Sequence, residues 1–403
     1  MKVALFVNGF PDSTRPYYSA FNLRTALELS KHVDLTVIVP MALRPGRLVF
    51  SSEALENFEV VRVAGPVVPR MPRLSLRLFS YYAREKCRSI LEKSDVIHSV
   101  GVEFVGLLVA SWFGRKGPCH VSQMMNNVNA LKGIGFKAYP FRSKLQRSVQ
   151  GILCNSGALE TIAKEHFPGV HIIRTIYRGT NLTEFYPEKS SPGPGAGGRE
   201  FRFVFLGGLP TYPGRIYGQD TKGGITLMNA WSRRERDLIT LNASLLFGGP
   251  GADCRQARRW RSSLRHPDRV AIQGAVPPQS VASLLRHADA VLIPSRDEGC
   301  PNLLFEAFAC GTPVLGSDIG PLAEIIEHNK TGRMVKAGDT NAWGEALTAF
   351  ACPSLDGIRI NMGEAARRTA EAMFDNRNYA LSLVDFYRSA LQSRVTTREE
   401  EVE

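Results

Sequence analysis

The 403-residue sequence predicts an α/β fold, two Rossmann-like doubly wound domains facing across a cleft. Three observations lead there. The length exceeds what one hydrophobic core usually supports. Short apolar runs alternate with helical patterns, first before residue 187 and again after 198. Between the two series lies Pro-Glu-Lys-Ser-Ser-Pro-Gly-Pro-Gly-Ala-Gly-Gly at Pro187–Gly198, a composition that suits a linker and not a packed element.

In the first series Met1–Asn8 and Val33–Val39 read as strands, with Ala20–Lys31 a helix between them. Phe58–Val63 is another strand, followed by a helix from about Leu74 to Glu92. Asp95–His98 and Cys119–Gln123 are strands on either side of an apolar Phe104–Phe113 helix, and Gly151–Cys154, Ala158–His166 and His171–Ile176 give strand, helix and strand. In the second series the strands are Phe201–Leu206, Ala243–Phe247, Val270–Gln273, Val291–Ile293 and Pro313–Gly316, and the helices Gly224–Trp231, Ser280–Arg286 and Leu303–Ala309. Alternation of this kind makes parallel sheets covered on both faces, with ligands at the carboxyl ends of the strands. The expected domains are 1–186, the linker 187–198, and 199–374. A helix over 375–393 crosses back to the first domain, and 394–403 is a charged, disordered tail.

No window reaches the ~18 apolar residues of a membrane span. The apolar run after Met1-Lys2 is too short for a signal peptide and reads as a strand. The seven cysteines, at 87, 119, 154, 254, 300, 310 and 352, are scattered without a Cys-x-x-Cys pair. Reduced thiols in a cytoplasmic protein are expected, with neither a disulfide framework nor a zinc site. The net charge of +12 is uneven: residues 1–188 hold 24 Lys/Arg against 14 Asp/Glu, and 189–403 hold 26 against 24. A basic first half suits a polyanionic partner. Its cations concentrate in Arg70–Arg84 and Lys132–Arg147, where aromatic and aliphatic residues interleave with them. Such segments suit a peripheral position on an anionic membrane surface, on the cytoplasmic face. Nucleic acid is the lesser alternative, because the chain lacks Arg-Gly repeats, zinc spacing and a recognition helix.

The most informative stretch is Ser295-Arg-Asp-Glu-Gly-Cys-Pro-Asn-Leu-Leu-Phe-Glu306, which follows the apolar run Ala290–Pro294. Glu298 lies in the turn and Glu306 inside the following helix. Pro301 suits the first helical position, where a missing N–H goes unnoticed. The amides of Asn302, Leu303 and Leu304 then face any bound anion. Pro301 to Glu306 spans about 7.5 Å of axis. Acceptors on both sides of a donor-rich helix start match a molecule with a diphosphate in the middle and hydroxyls at both ends. A nucleotide sugar has that layout.

From about residue 150 to 345 the chain resembles the family 4 glycosyltransferases, retaining enzymes of the two-Rossmann GT-B fold. The resemblance runs through Asn155-Ser156, Gly179-Thr180-Asn181-Leu182 with Phe185 and Pro187, and Asp289-Ala-Val. It continues through Pro294-Ser295, Glu298 with Glu306, Ala307–Val314, Gly320, Glu324, Thr331-Gly332 and Gly338-Asp339. It implies a hexosyltransferase that needs no metal or other cofactor and takes a nucleoside-diphosphate sugar and a carbohydrate or lipid-linked acceptor, as in cell-surface polysaccharide or glycolipid synthesis. Glu298 would contact the donor sugar, Glu306 the ribose, and Lys222 the leaving diphosphate, so that Glu298 and Lys222 are the catalytic pair. Gly207, Gly208, Cys300, Pro301, Asn302 and Leu303 would complete the donor site, and Gly9, His98 and Asn126 are acceptor-side candidates.

Two departures stand out. The family usually has Gly-Arg after the second domain's first strand, whereas here Gly207-Gly208 precede a longer insert, Leu209–Thr221. Arg215 is the candidate substitute, with Arg296 second. Many members also place a histidine where this chain has Met124-Met125-Asn126-Asn127. These departures motivate the alternative of a non-catalytic nucleotide-sugar-binding subunit of the same fold.

Overall fold

Fourteen strands form two sheets in a computed structural model, which describes residues 1–403 apart from 8, 15–18, 43–49, 66–71, 102–108, 110–112, 114–116, 126–147, 171, 189–198, 211–216 and 401–403. The first sheet contains β1 (Lys2–Val7), β2 (Asp34–Ala42), β3 (Phe50–Leu55), β4 (Phe58–Gly65), β5 (Val96–Val100), β6 (Cys119–Met124), β7 (Gly151–Cys154) and β8 (Ile172–Thr175). Their order is β3-β4-β2-β1-β5-β6-β7-β8. Every residue of β5, β6 and β7 is buried, as strands covered on both faces require. The edge strand β3 is mostly exposed and runs antiparallel to β4, the one antiparallel pairing among the described strands. The helices α1 (Ala20–Leu29), α2 (Pro72–Lys86), α3 (Arg88–Lys93) and α4 (Gly157–His166) belong to this unit. The expected Phe104–Phe113 helix and the basic stretch Lys132–Arg147 fall almost wholly outside the described residues.

The second sheet is wholly parallel, in the order β11-β10-β9-β12-β13-β14. Its chain path is β9 (Phe201–Phe205), α5 (Gly224–Thr240), β10 (Ala243–Gly248), α6 (Arg255–Ser263), β11 (Val270–Gln273), α7 (Pro278–Arg286), β12 (Ala290–Ile293), α8 (Asn302–Ala309), β13 (Val314–Ser317), α9 (Gly320–Ala323), β14 (Gly332–Val335), α10 (Thr340–Ala351) and α11 (Asp356–Met373). Phe201, Phe203, Phe205, Phe247, Trp231 and Trp343 fill its core. The order reverses between β9 and β12, and such a switch point opens a crevice at the carboxyl ends of the strands.

The last helix, α12 (Asn376–Glu400), belongs to the first unit, so unit 1 is Met1–Gly179 with Asn376–Glu403 and unit 2 is Thr180–Asp375. Leu383, Val384, Phe386 and Tyr387 of α12 are buried in the core of unit 1. Gly151 lets Phe386 approach β7, since a Cβ there would lie 2.8 Å from the Phe386 ring. The sequence places the first boundary at 186, but the chain passes into unit 2 already at Thr180. Phe185 is fully buried and its carbonyl accepts from Arg367, while the Glu184 carbonyl accepts from Arg286. Most of the expected linker, 189–198, is outside the described residues. The helix also continues to Glu400, past the expected end at Ser393. No helix among the described residues is long and apolar enough to cross a membrane.

A buried polar seam joins α12 to the middle of this sheet. His98 Nδ1 lies 2.6 Å from Tyr387 Oη, and Ser99 Oγ lies 3.0 Å from His120 Nε2. Gln123 Nε2 donates to Asn155 Oδ1 at 2.7 Å and to Tyr379 Oη at 2.9 Å. Burial, reinforced by the nearby His120 and Arg178, pushes His98 down to about 3, and burial does the same to His120. Both rings are therefore neutral in the fold. In the unfolded chain they take up a proton near pH 6.5. Between 6.5 and 3 the unfolded state binds more protons, so this stability is complete above pH 6.5 and is lost as pH falls. The slope is at most about 1.4 kcal/mol per pH unit for each ring. Thermal unfolding followed from pH 7 to 5 should show Tm of the unit falling steeply. His98→Gln and His120→Gln should each flatten that dependence, and an unchanged slope in both variants would contradict the role given to these rings.

Candidate active site

The switch point of unit 2 gathers three loops. After β9 the chain turns through Gly207 and Gly208. Gly208 has φ 64°, and a Cβ there would sit 2.0 Å from the Pro250 carbonyl oxygen. Gly207 lies beside Lys222, with its would-be Cβ 3.3 Å from Lys222 Cβ. At the start of α5, Gly223 has φ 73°, and its Cβ would fall 1.8 Å from the Pro294 carbonyl oxygen. Only glycine fits either position. The Arg296 amide donates to the Thr221 carbonyl at 2.9 Å, which locks the loop after β12 against the approach to α5.

Within this apposition Lys222 Nζ donates to both oxygens of Glu298, at 2.7 and 2.8 Å. Ser295 Oγ donates to Glu298 Oε1 at 2.8 Å. Glu298 is only 5% exposed, so its charge is held by three bonds in place of water. The residue expected at the donor sugar and the residue expected at the diphosphate thus form one ion pair.

Gly223 has no side chain with which to cap α5, and Asp220 does so instead. Its Oδ1 accepts from the amides of Ile225 at 2.7 Å and Thr226 at 3.2 Å, and its Oδ2 from Thr226 Oγ1 at 2.6 Å. Arg296 lies 3.8 Å from Asp220 Oδ2 and stacks on Tyr217, its guanidinium carbon 4.7 Å from the ring centre. Sequence reasoning missed Asp220 and Ser295. Asp220 lies three residues before Gly223, the position where a capping side chain is sought, so its role is visible only in the folded loop.

The helix after the motif starts at Asn302, so Pro301 is not the first helical residue that the sequence suggests. Pro301 has φ −77° and ψ 127°, an extended cap and not the first helical residue, because the chain is still leaving the loop there. The Leu304 amide donates to the Pro301 carbonyl at 3.1 Å, which removes it from the three amides expected to face an anion. Asn302 and Leu303 remain ahead of any intrahelical acceptor. Glu306 is half-buried one turn along α8, and Cys300 is partly exposed in the preceding loop. Arg215 lies outside the described residues. Among the described residues no three His, Cys, Asp or Glu side chains converge as a metal-binding group.

The acceptor-side candidates lie in unit 1. Gly9 is buried after β1, its carbonyl accepting from Asn22 Nδ2 at 2.7 Å, and Asn22 Oδ1 accepts from Arg178 at 3.1 Å. His98 is expected at a strand end but lies in the middle of β5, 1% exposed and held by Tyr387, because that strand continues to Val100. Asn126 is outside the described residues.

Residues 209–352 match the family described as Glycosyl transferases group 1. D-inositol 3-phosphate glycosyltransferase from Saccharomonospora viridis is 29% identical over 226 residues, 54% of this chain and 50% of that protein. The chain therefore spans about half the length of this curated relative. Sucrose-phosphate synthase from Thermosynechococcus elongatus superposes with a TM-score of 0.73 at 18% identity, over 97% of this chain and 99% of that one. The Anabaena protein HepE, in complex with UDP-glucose, superposes with a TM-score of 0.70 at 14% identity, over 96% and 100%. Residues 209–352 are thus similar to the glycosyl transferases group 1 family, and the two α/β units have the GT-B fold.

Proposed function

We propose that the protein is a retaining glycosyltransferase that moves a hexose from a nucleoside-diphosphate sugar to a carbohydrate or lipid-linked acceptor, in the synthesis of a cell-surface polysaccharide or glycolipid. The observation that carries this reading is the Lys222–Glu298 pair at the strand switch, beside the start of α8. A lysine and two helix-start amides suit a diphosphate, and the flanking carboxylates Glu298 and Glu306 suit hydroxyls. UDP-glucose is the first donor to test, since a protein of the same fold was solved with it.

In this mechanism donor binding breaks the resting pair. The diphosphate takes Lys222, and Glu298, still anchored by Ser295, turns its freed oxygen to a sugar hydroxyl. As the bond from the anomeric carbon to phosphate oxygen breaks, negative charge grows on the leaving diphosphate and Lys222 with the α8 amides stabilises it. The acceptor hydroxyl attacks from the same face, so configuration is kept. Charge stabilisation by side chain and backbone makes the step independent of a metal.

Lys222→Ala should lower kcat/KM by about 100-fold or more, the scale of losing one charge-stabilising donor. Glu298→Gln should lower transfer comparably yet bind free UDP about fivefold more tightly, because Lys222 no longer has a carboxylate partner. Calorimetry with UDP and a transfer assay separate the two effects. Unchanged transfer in both variants would refute the mechanism, and UDP-glucose binding with no release of UDP would favour the binding-only alternative. Asp220→Ala strips α5 of its cap and should cost about 1–2 kcal/mol in thermal unfolding, with Asp220→Asn in between. Equal stability of all three proteins would remove the capping role.

A further inference from the structure

We propose that the outward face of α2 is a docking surface for an anionic lipid bilayer. Leu74, Leu78 and Tyr81 are 38%, 42% and 50% exposed. Their spacing of four and three residues puts them in one row along the helix. The opposite face, with Ser80, Ala83 and Cys87, is fully buried against unit 1. The row is therefore an apolar stripe left over after the helix has buried its core face. A fourth exposed apolar side chain lies at the same corner of the sheet. Phe50, 39% exposed, begins β3 and pairs with Val63, two residues before Gly65, whose would-be Cβ meets the Phe79 ring of α2 at 1.9 Å.

The charge around the row has one dominant sign. Residues 74–93 contain five Lys/Arg and two Glu, a net of +3. Arg77 is exposed beside Leu78, and the Arg84 guanidinium lies 5.0 Å from the centre of the Tyr81 ring. Both acids, Glu85 and Glu92, are engaged by Arg84 or Arg88.

This pairing of chemistries selects the partner. Aliphatic side chains gain nothing from the phosphates of a nucleic acid, and a second copy would press one cationic face on another. A leaflet with anionic headgroups offers both counterparts: charge for the arginines, and acyl chains for a row that dips about 5–10 Å below the headgroups. The surface is separate from the donor site in unit 2, and its existence does not depend on the transfer reaction.

Flotation of the full chain with phosphatidylcholine vesicles, with and without phosphatidylglycerol, tests the proposal without any donor or acceptor. Recovery is expected only with phosphatidylglycerol and should fall as salt is raised. Arg77→Gln should weaken binding about fivefold. Leu74→Ser with Leu78→Ser should weaken it about tenfold or more. Both positions are exposed, and circular dichroism with an unchanged affinity for UDP would verify that these variants fold. Equal recovery on both vesicle types, no recovery on either, or undiminished binding of the double leucine variant would overturn the proposal. So would a dimer abolished by that variant, since it would assign the face to a second copy.

Discussion

The close approach of two backbone segments, residues 220–223 and 294–298, is the contact on which the candidate site of unit 2 depends. It needs Gly223 in the left-handed region, because any side chain there would overlap the Pro294 carbonyl. It also needs the Arg296 amide on Thr221. Given those two conditions, Lys222 and Glu298 meet although 76 residues separate them in sequence. The β9/β12 reversal supplies the crevice, and this contact decides which functional groups stand in it.

The ion pair gives the crevice a particular resting state. A carboxylate as buried as Glu298 with no partner would cost several kcal/mol. With Lys222 and Ser295 bonded to it, the charge is tolerated. In the proposed mechanism the diphosphate would take Lys222, and Glu298 would keep its bond from Ser295 and gain one from a sugar hydroxyl.

Much of this was legible in the sequence because its signals were local. The parallel strands announced themselves as short apolar runs, and the Glu298–Glu306 motif marked the loop and helix after β12. What was not legible depended on contacts distant in sequence. β3 was missed because its residues are mostly exposed and its turn to β4 at Glu56–Asn57 carries no glycine. His98 looked like a strand end, but β5 runs two residues further and Tyr387 closes over the ring. The domain boundary followed the Pro/Gly-rich composition, whereas packing of Phe185 sets the actual crossing earlier. Lys222 and Glu298 were each singled out, but their pairing could be seen only with both loops in place. The donor residues of α8 shifted by one, since nothing in a sequence distinguishes a proline that caps a helix from one that begins it.

The placement of α12 has a consequence for how the chain comes into being. Unit 2 is encoded without interruption by Thr180–Asp375, so all of its residues are synthesised before α12. The first unit is different: its eight strands precede unit 2, but Leu383, Phe386 and Tyr387, which seal its interior, follow it in the chain. The first unit therefore keeps part of its apolar surface uncovered until α12, beyond the whole of unit 2, has been made. An apolar sheet face open during synthesis is the kind of surface on which nascent chains aggregate.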